Sequence, residues 1–388
     1  MPRPKHQKRV SRVECYAKPT TTTAAAAATT TRRTAKIDKP PTPPSEGGTE
    51  HDAKTTSLDS RALTQRPTFA ELPLRPSDPK GSAWGLYGAA DELGTLNLLT
   101  PSVVQAAAAS EIQLGELLPL NLPLTSPLVP MNPRRKPCAH TIIAKGYAND
   151  DEMELNTQGS SHWDGLRHFP YQESEQVRED GPRYYNGATQ ADISGPNQNE
   201  RIGIQNIARR GIAARGVLLD WRAWALAKGI SYSPFASHAI PLAELQAVAL
   251  AQGVVFRQGD ILLVRSGWLE EYNRMSDEDK TALAQRPERT FVGVEGSREM
   301  MEWHWDNGFA AVAGDTNAYE AWPPKKAWGV SCHEVFLSGW GMPIGELWDL
   351  EGLAKRCREL GRWSFFLTSC PLNLPAGVAS PPNAMAIF

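Results

Sequence analysis

From about residue 212 onward, apolar and polar positions alternate in blocks of two kinds. Gly216 to Asp220 (GVLLD) and Asp260 to Arg265 (DILLVR) are short continuous apolar runs with polar ends, the pattern of strands buried on both faces. Phe309 to Ala313 and Ser364 to Thr368 repeat it, the latter as the expected last strand. Between them the period lengthens. Leu242 to Gln252 predicts a helix that opens after Pro241 and closes at Gly253. Ser297 is placed to cap a helix running through Asp306, with Gly308 as its stop, and Asp349 to Leu360 reads as a helix ended by Gly361. Strands alternating with helices of about 10–15 residues predict an α/β fold, and roughly 320 residues of this texture can bury a core as one large domain.

The first 65 residues break the pattern. Positions 20–31 are only Thr and Ala, 40–48 reads PPTPPSEGG, and every Trp lies at or beyond Trp84. Such a segment has too little branched or aromatic side chain to offset the entropy of ordering. The expected organisation is a disordered extension over 1–65 and a folded domain over 66–388. Net charge sharpens the division. The formal −2 of the chain combines ten Lys/Arg against Glu14 and Asp38 in residues 1–40 with a remainder carrying −10. A body that acidic is poorly suited to a phosphate backbone, so no nucleic-acid partner is expected. No apolar run approaches the ~18 residues of a membrane helix. The five Cys are widely spaced and odd in number, which argues against a disulfide framework and for a reducing compartment. The expected location is cytoplasmic, with a mitochondrial address as the alternative because the first 36 residues are basic and acid-poor.

Chemistry concentrates at Gln158, His162, Asp164 and His168, whose offsets from Gln158 are 4, 6 and 10. Even offsets share a face in an extended chain, so one strand-like segment can aim all four at a point. Gly159 and Gly165 disfavour the helical alternative. Imidazole and carboxylate on one face suit a borderline or hard divalent ion such as Zn²⁺, Mn²⁺ or Fe²⁺. Hydrogen-bonded polar strand positions would give the same spacing. A second cluster places His333 and Glu346 either side of a Gly/Pro-rich bend (LSGWGMPIG) able to bring them together, although a core His and a helix-start Glu explain it equally well.

These residues resemble the metal-dependent cyclase family, which includes bacterial-type kynurenine formamidase and isatin hydrolase. His162-x-Asp164-x-x-x-His168-Phe169 is similar to the family signature His-x-Gly-Thr-His-x-Asp-x-Pro-x-His-Phe. Four other blocks follow the family order: Trp84-Gly85 with Asp91 to Asn97, Gly259 to Gly267, His333 to Glu346, and Ser380-Pro-Pro-Asn-Ala384. The resemblance covers roughly residues 84–388. It implies an α/β swivelling-type single domain of β/β/α kind, with a small barrel-like sheet and flanking helices, and a homodimer or homotetramer. It assigns Gln158, His162, Asp164, His333 and Glu346 to the metal, His168 to proton transfer, and an aromatic at Trp84 to substrate packing; Trp163 and Trp340 are further candidate walls. The chain departs from the signature at Gln158 (His in the signature), Ser160-Ser161 (Gly-Thr) and Leu166 (Pro). A neutral Gln amide disfavours a two-zinc centre and favours one harder ion, so the expected cofactor is Mn²⁺ or Zn²⁺.

The implied activity is hydrolysis of a small, aromatic amide, formamide, lactam, imide or lactone. A cyclising, lactonising or dehydrating enzyme of secondary metabolism, or a binding protein that has lost its ion, remain alternatives. Other enzyme classes lack support. Cys332 and His333 are adjacent, so on a strand they face opposite ways and form no dyad. No Gly-x-Ser-x-Gly elbow and no Gly-x-Gly-x-x-Gly after a strand is present. His304, flanked by Trp303 and Trp305, reads as packing, and His140 and His238 carry no supporting pattern.

Overall fold

The computed structural model describes residues 66–172 and 181–388, all within one compact unit, Thr56–Phe388. The extension expected over 1–65, and the domain boundary placed at its end, lie outside the described residues. Thirteen strands follow in chain order: β1 (Leu117–Pro119), β2 (Ala139–Ala144), β3 (Asn149–Glu154), β4 (His162–Asp164), β5 (Ile212–Leu219), β6 (Ala239–Ile240), β7 (Ile261–Val264), β8 (Gly293–Val294), β9 (Ala311–Gly314), β10 (Ile344–Glu346), β11 (Ser364–Ser369), β12 (Ala379–Ser380) and β13 (Ala384–Ile387). Nine of them form one curled sheet in the order β1-β13-β11-β5-β7-β9-β10-β4-β12, while β2–β3 and β6–β8 pair separately. The centre, β5-β7-β9-β10, is parallel; the pairings towards both edges are antiparallel. Helices flank this sheet, as the resemblance implied.

The continuous apolar runs follow from this arrangement. In β7, Leu262 and Val264 enter one hydrophobic cluster while Ile261 and Leu263 enter another on the opposite face. The first cluster is the larger and holds Trp221, Trp268, Met300, Trp305, Phe336 and Trp340; the second holds Trp163, Trp348, Phe365 and Phe388. A strand covered on both sides has no polar alternation to show.

The helices read from the sequence form at Leu242–Ala251, Arg298–Asp306 and Glu351–Leu360. Ser297 caps the second by accepting from Met300 N, and Gly361 ends the third at φ 62°. Two expectations change. The strand placed at Gly216 begins four residues earlier, at Ile212, where Ile212 to Val217 pair with β11. The strand at Ser364 is not the last: β13 runs antiparallel to it and to β1 near the end of the chain.

Candidate metal centre

The register of β4 against β10 builds the site. His162 lies opposite Glu346, Trp163 opposite Gly345, and Asp164 opposite Ile344. Alternation then sends His162, Asp164 and Glu346 to one face and Trp163 to the other. All three polar side chains are buried. His162 Nε2 stands 3.4 Å from Asp164 Oδ1 and 3.4 Å from Glu346 Oε2. His162 Nε2 and Asp164 Oδ2 are buried with no hydrogen-bond partner. Buried polar atoms are rarely left so. Moreover, about 3.4 Å is the edge of a tetrahedron with arms of ~2.1 Å, the length of a Zn–N or Zn–O bond. His162 Nδ1 meets Ser160 O at 2.7 Å, which fixes the ring and turns Nε2 to the centre. An orphaned imidazole nitrogen and carboxylate oxygen converging with a second carboxylate fit a divalent ion.

His333 and Glu346 come together as the bend suggested. His333 sits at the start of a π-helix, Glu334–Trp340. The chain then reverses through Gly341 in the left-handed region (φ 65°) and enters β10. His333 Nε2 is 3.1 Å from Glu346 Oε1, so it touches the edge of the triad rather than its middle. Its Nδ1 lies 2.6 Å from Glu320, a buried carboxylate that also accepts from the backbone nitrogens of Cys332 and His333. Glu320 is a residue the sequence reading missed. It arrives from the segment after β9, and nothing in its local sequence marks it.

Gln158 is also brought in, but with its nitrogen foremost. Its Nε2 donates to Asp164 Oδ1 at 2.6 Å and faces the His168 ring at 3.2 Å. Asp164, as a carboxylate, can only accept, so in this arrangement the Gln158 amide nitrogen orients an ion ligand, and Gln158 stands beside the ligand set with its nitrogen towards it. The even offsets hold as convergence, yet only His162 to Asp164 is strand, and Gln158 and His168 reach the site from the turns on either side.

Electrostatics separates the histidines. Burial pulls His162 down, but Asp164 and Glu346 overcome it and raise its pKa to about 9. Burial likewise opposes protonation of His333, and Glu320 with Glu346 still push it to about 10. Asp164, despite burial, is held well below the usual carboxylate range by His168 and His162. In His168 burial wins over the attraction of Asp164 and lowers the pKa, leaving a neutral imidazole whose Nε2 is 3.6 Å from Asp164 Oδ2.

His168, His333 and Glu346 line a cavity of about 200 Å³. Its apolar walls are Met131, Phe169, Phe291, Ala318 and Trp322. None of the three tryptophans expected there contributes. Trp163 packs edge-on to Trp348 at 4.7 Å in the opposite core, as the strand alternation requires. Trp340 stacks on Phe336 at 4.8 Å and donates to Gly81 O. Trp84 donates to Ser338 O at 2.6 Å and meets Tyr171 edge-on. Their roles are packing. Phe169, beside His168 in the motif, carried the one available signal; Phe291 and Trp322 converge only through their mutual backbone bridge. Cys332 is buried and its thiol is pushed well up by burial, which leaves no thiolate for a nucleophile. His304 is buried between Met300 O and Tyr319 Oη, as packing required.

Comparison with known proteins places the chain in a family. A family model described as Cyclase matches residues 95–321. A crystal structure described as a novel cyclase is 30% identical, with a TM-score of 0.67, and the match covers 79% of this chain and 99% of that one. The chain belongs to the cyclase family. Isatin hydrolase A from Ralstonia solanacearum has the same fold at 17% identity and a TM-score of 0.50, the match covering 74% of this chain and 97% of that one. No curated protein matches the sequence. The family match contains His162, Asp164 and His168 but ends before His333, at the start of the π-helix, and Glu346, which the β4–β10 pairing supplies. Among the described residues no helix is long and apolar enough to cross a membrane.

Proposed function

We propose that this chain is a metal-dependent hydrolase of small aromatic amides, formamides, lactams, imides or lactones. The observation that carries the reading is the buried convergence of His162 Nε2, Asp164 and Glu346, with two of their atoms left unpartnered. His162, Asp164 and Glu346 would hold the ion, with His333 at its margin. One nitrogen and two carboxylates are a donor set for Mn²⁺ or Zn²⁺. Bound there, the ion supplies Lewis-acid polarisation and lowers the pKa of a water.

The chain's own residues do the rest. His168, neutral and lining the cavity, accepts a proton from the attacking water as its oxygen bonds to the acyl carbon. It returns that proton to the leaving nitrogen or oxygen as the C–N or C–O bond breaks. Asp164 faces His168 and steadies the imidazolium formed between the two transfers. Phe169, Phe291 and Trp322 offer apolar faces to an aromatic ring. Assembly as a homodimer or homotetramer belongs to the same reading. A cyclising reaction is the second reading, favoured by the description of the 30%-identical structure as a cyclase. Chelator-stripped protein reloaded with Mn²⁺ or Zn²⁺ and offered N-formylkynurenine, isatin, cyclic imides and aryl lactones tests the choice. Ion-dependent hydrolysis of at least one supports the hydrolase; no turnover with any, at full ion loading, contradicts it.

A further inference from the structure

The cavity that receives the substrate is rich in donors beyond its ion end. Arg135, Arg289 and Asn317 line it. Arg135 spends one N–H on Gln158 O at 2.9 Å, and its charge acts on Asp164 and His168, so it belongs to the ion end. Arg289 differs: it is exposed at the cavity wall, and among the described residues its guanidinium has no carboxylate partner and no hydrogen bond. It stands two residues before Phe291 in a segment that bridges Trp322, with Phe291 N donating to Trp322 O at 3.1 Å and Trp322 N returning the bond at 3.0 Å. Charge and aromatic wall are therefore supplied together by one piece of backbone. Asn317 also lines the cavity, and its Nδ2 is buried with no hydrogen-bond partner. The carboxylates of the site, Asp164 and Glu346, match the charge of a divalent ion and leave none for Arg289.

A planar cation without a protein partner, beside aromatic faces at the cavity wall, suits a ligand that presents a carboxylate. Resting on the hydrolase reading above, we infer that the substrate is a single-ring aromatic acid derivative. Its scissile carbonyl lies at the His162–Asp164–Glu346 end, and a separate carboxylate is read by Arg289. A cavity of about 200 Å³ has room for a single aromatic ring. Arg289 is a specificity-determining residue in this account.

The probes are 4-formamidobenzoate and 4-formamidobenzamide, which share a scaffold and a scissile bond and differ in charge. Affinity by calorimetry, and kcat and KM where turnover occurs, are measured on ion-loaded full-length protein and on Arg289→Gln and Arg289→Lys. The expected result is tighter binding of the benzoate by the unsubstituted protein, about ten- to a hundredfold loss of that affinity in R289Q, partial recovery in R289K, and little change for the benzamide. Equal affinity for the two probes overturns the inference. A preference for the benzoate that survives in R289Q also overturns it, because the ion would then be reading the carboxylate. Arg289-dependent binding of the benzoate with no hydrolysis of either probe upholds the inference and counts against the hydrolase reading alone. Hydrolysis of both probes without charge preference does the reverse.

Discussion

His168 is the residue on which proton transfer depends, and its neighbours hold it in the form that work needs. Burial keeps it neutral at pH 7, and its Nε2 faces Asp164. His168→Ala is expected to lower kcat by about 10²–10⁴ while the ion content of the protein, measured by elemental analysis, stays the same. Unchanged turnover with the ion retained would remove His168 from the mechanism. The two histidines of the ion site carry the opposite charge. At about 9 and about 10, His162 and His333 hold protons at pH 7 in the ion-free protein. An imidazole must lose its proton to ligate, so ion binding releases protons. Affinity is therefore predicted to rise with pH across neutrality and to level off near pH 9–10. Calorimetry in buffers of different ionisation enthalpy checks this; a buffer-independent heat would contradict it. At this scale most of the site was legible in the sequence: the even spacing marks His162, Asp164 and His168, and the resemblance adds His333 and Glu346. Glu320, Arg289, Phe291 and Trp322 were not, because they come from segments that meet the site only after folding.

At the scale of elements, the site depends on two three-residue strands, β4, which shows only in the even spacing of its polar residues, and β10, which no hydrophobic periodicity reveals. A period of two needs more than three residues to show. What fixes β10 is packing. A Cβ on Gly345 would stand 2.6 Å from the Ala313 Cβ of the neighbouring strand and 2.7 Å from Trp348 Nε1, closer than real Cβ contacts come. Gly345→Ala should therefore push β10 away from β9, cost about 1–3 kcal/mol of stability, and shift Glu346 enough to weaken ion binding. Thermal unfolding together with an ion titration measures both effects; a variant as stable as the original that binds the ion equally well would show that β10 has room to move. The longer elements were legible for the opposite reason. Helices such as Arg298–Asp306 carry a cap, and β7 is a full apolar run between polar ends.

For the whole molecule, stability and pH are linked through a group remote from the chemistry. Burial lowers His304 to about 4 in the larger core. The unfolded chain protonates that residue near its ordinary value of about 6.5, so the unfolded state binds the extra proton first as pH falls. The stabilisation from keeping His304 neutral is thus complete above about pH 6.5 and is lost on descending towards pH 4. Denaturant unfolding between pH 7 and 4.5 should show His304→Gln losing less stability over that range than the unsubstituted protein; parallel curves would contradict the assignment. The α/β class was readable from alternation alone, and the flanking helices from the resemblance. The curled nine-stranded sheet was not, since its order depends on strands such as β1, β4 and β13 that are far apart in the chain.

The most direct test of the account is titration of Mn²⁺ or Zn²⁺ into chelator-stripped full-length protein and its Asp164→Asn variant. Asp164 contributes an unpartnered, fully buried oxygen and the carboxylate that Gln158 and His168 both address. Saturable binding by the unsubstituted protein, weakened by roughly a hundredfold or more in D164N, is the predicted result. No binding by the unsubstituted protein, or equal binding by the two, would contradict the metal centre and the hydrolase built on it.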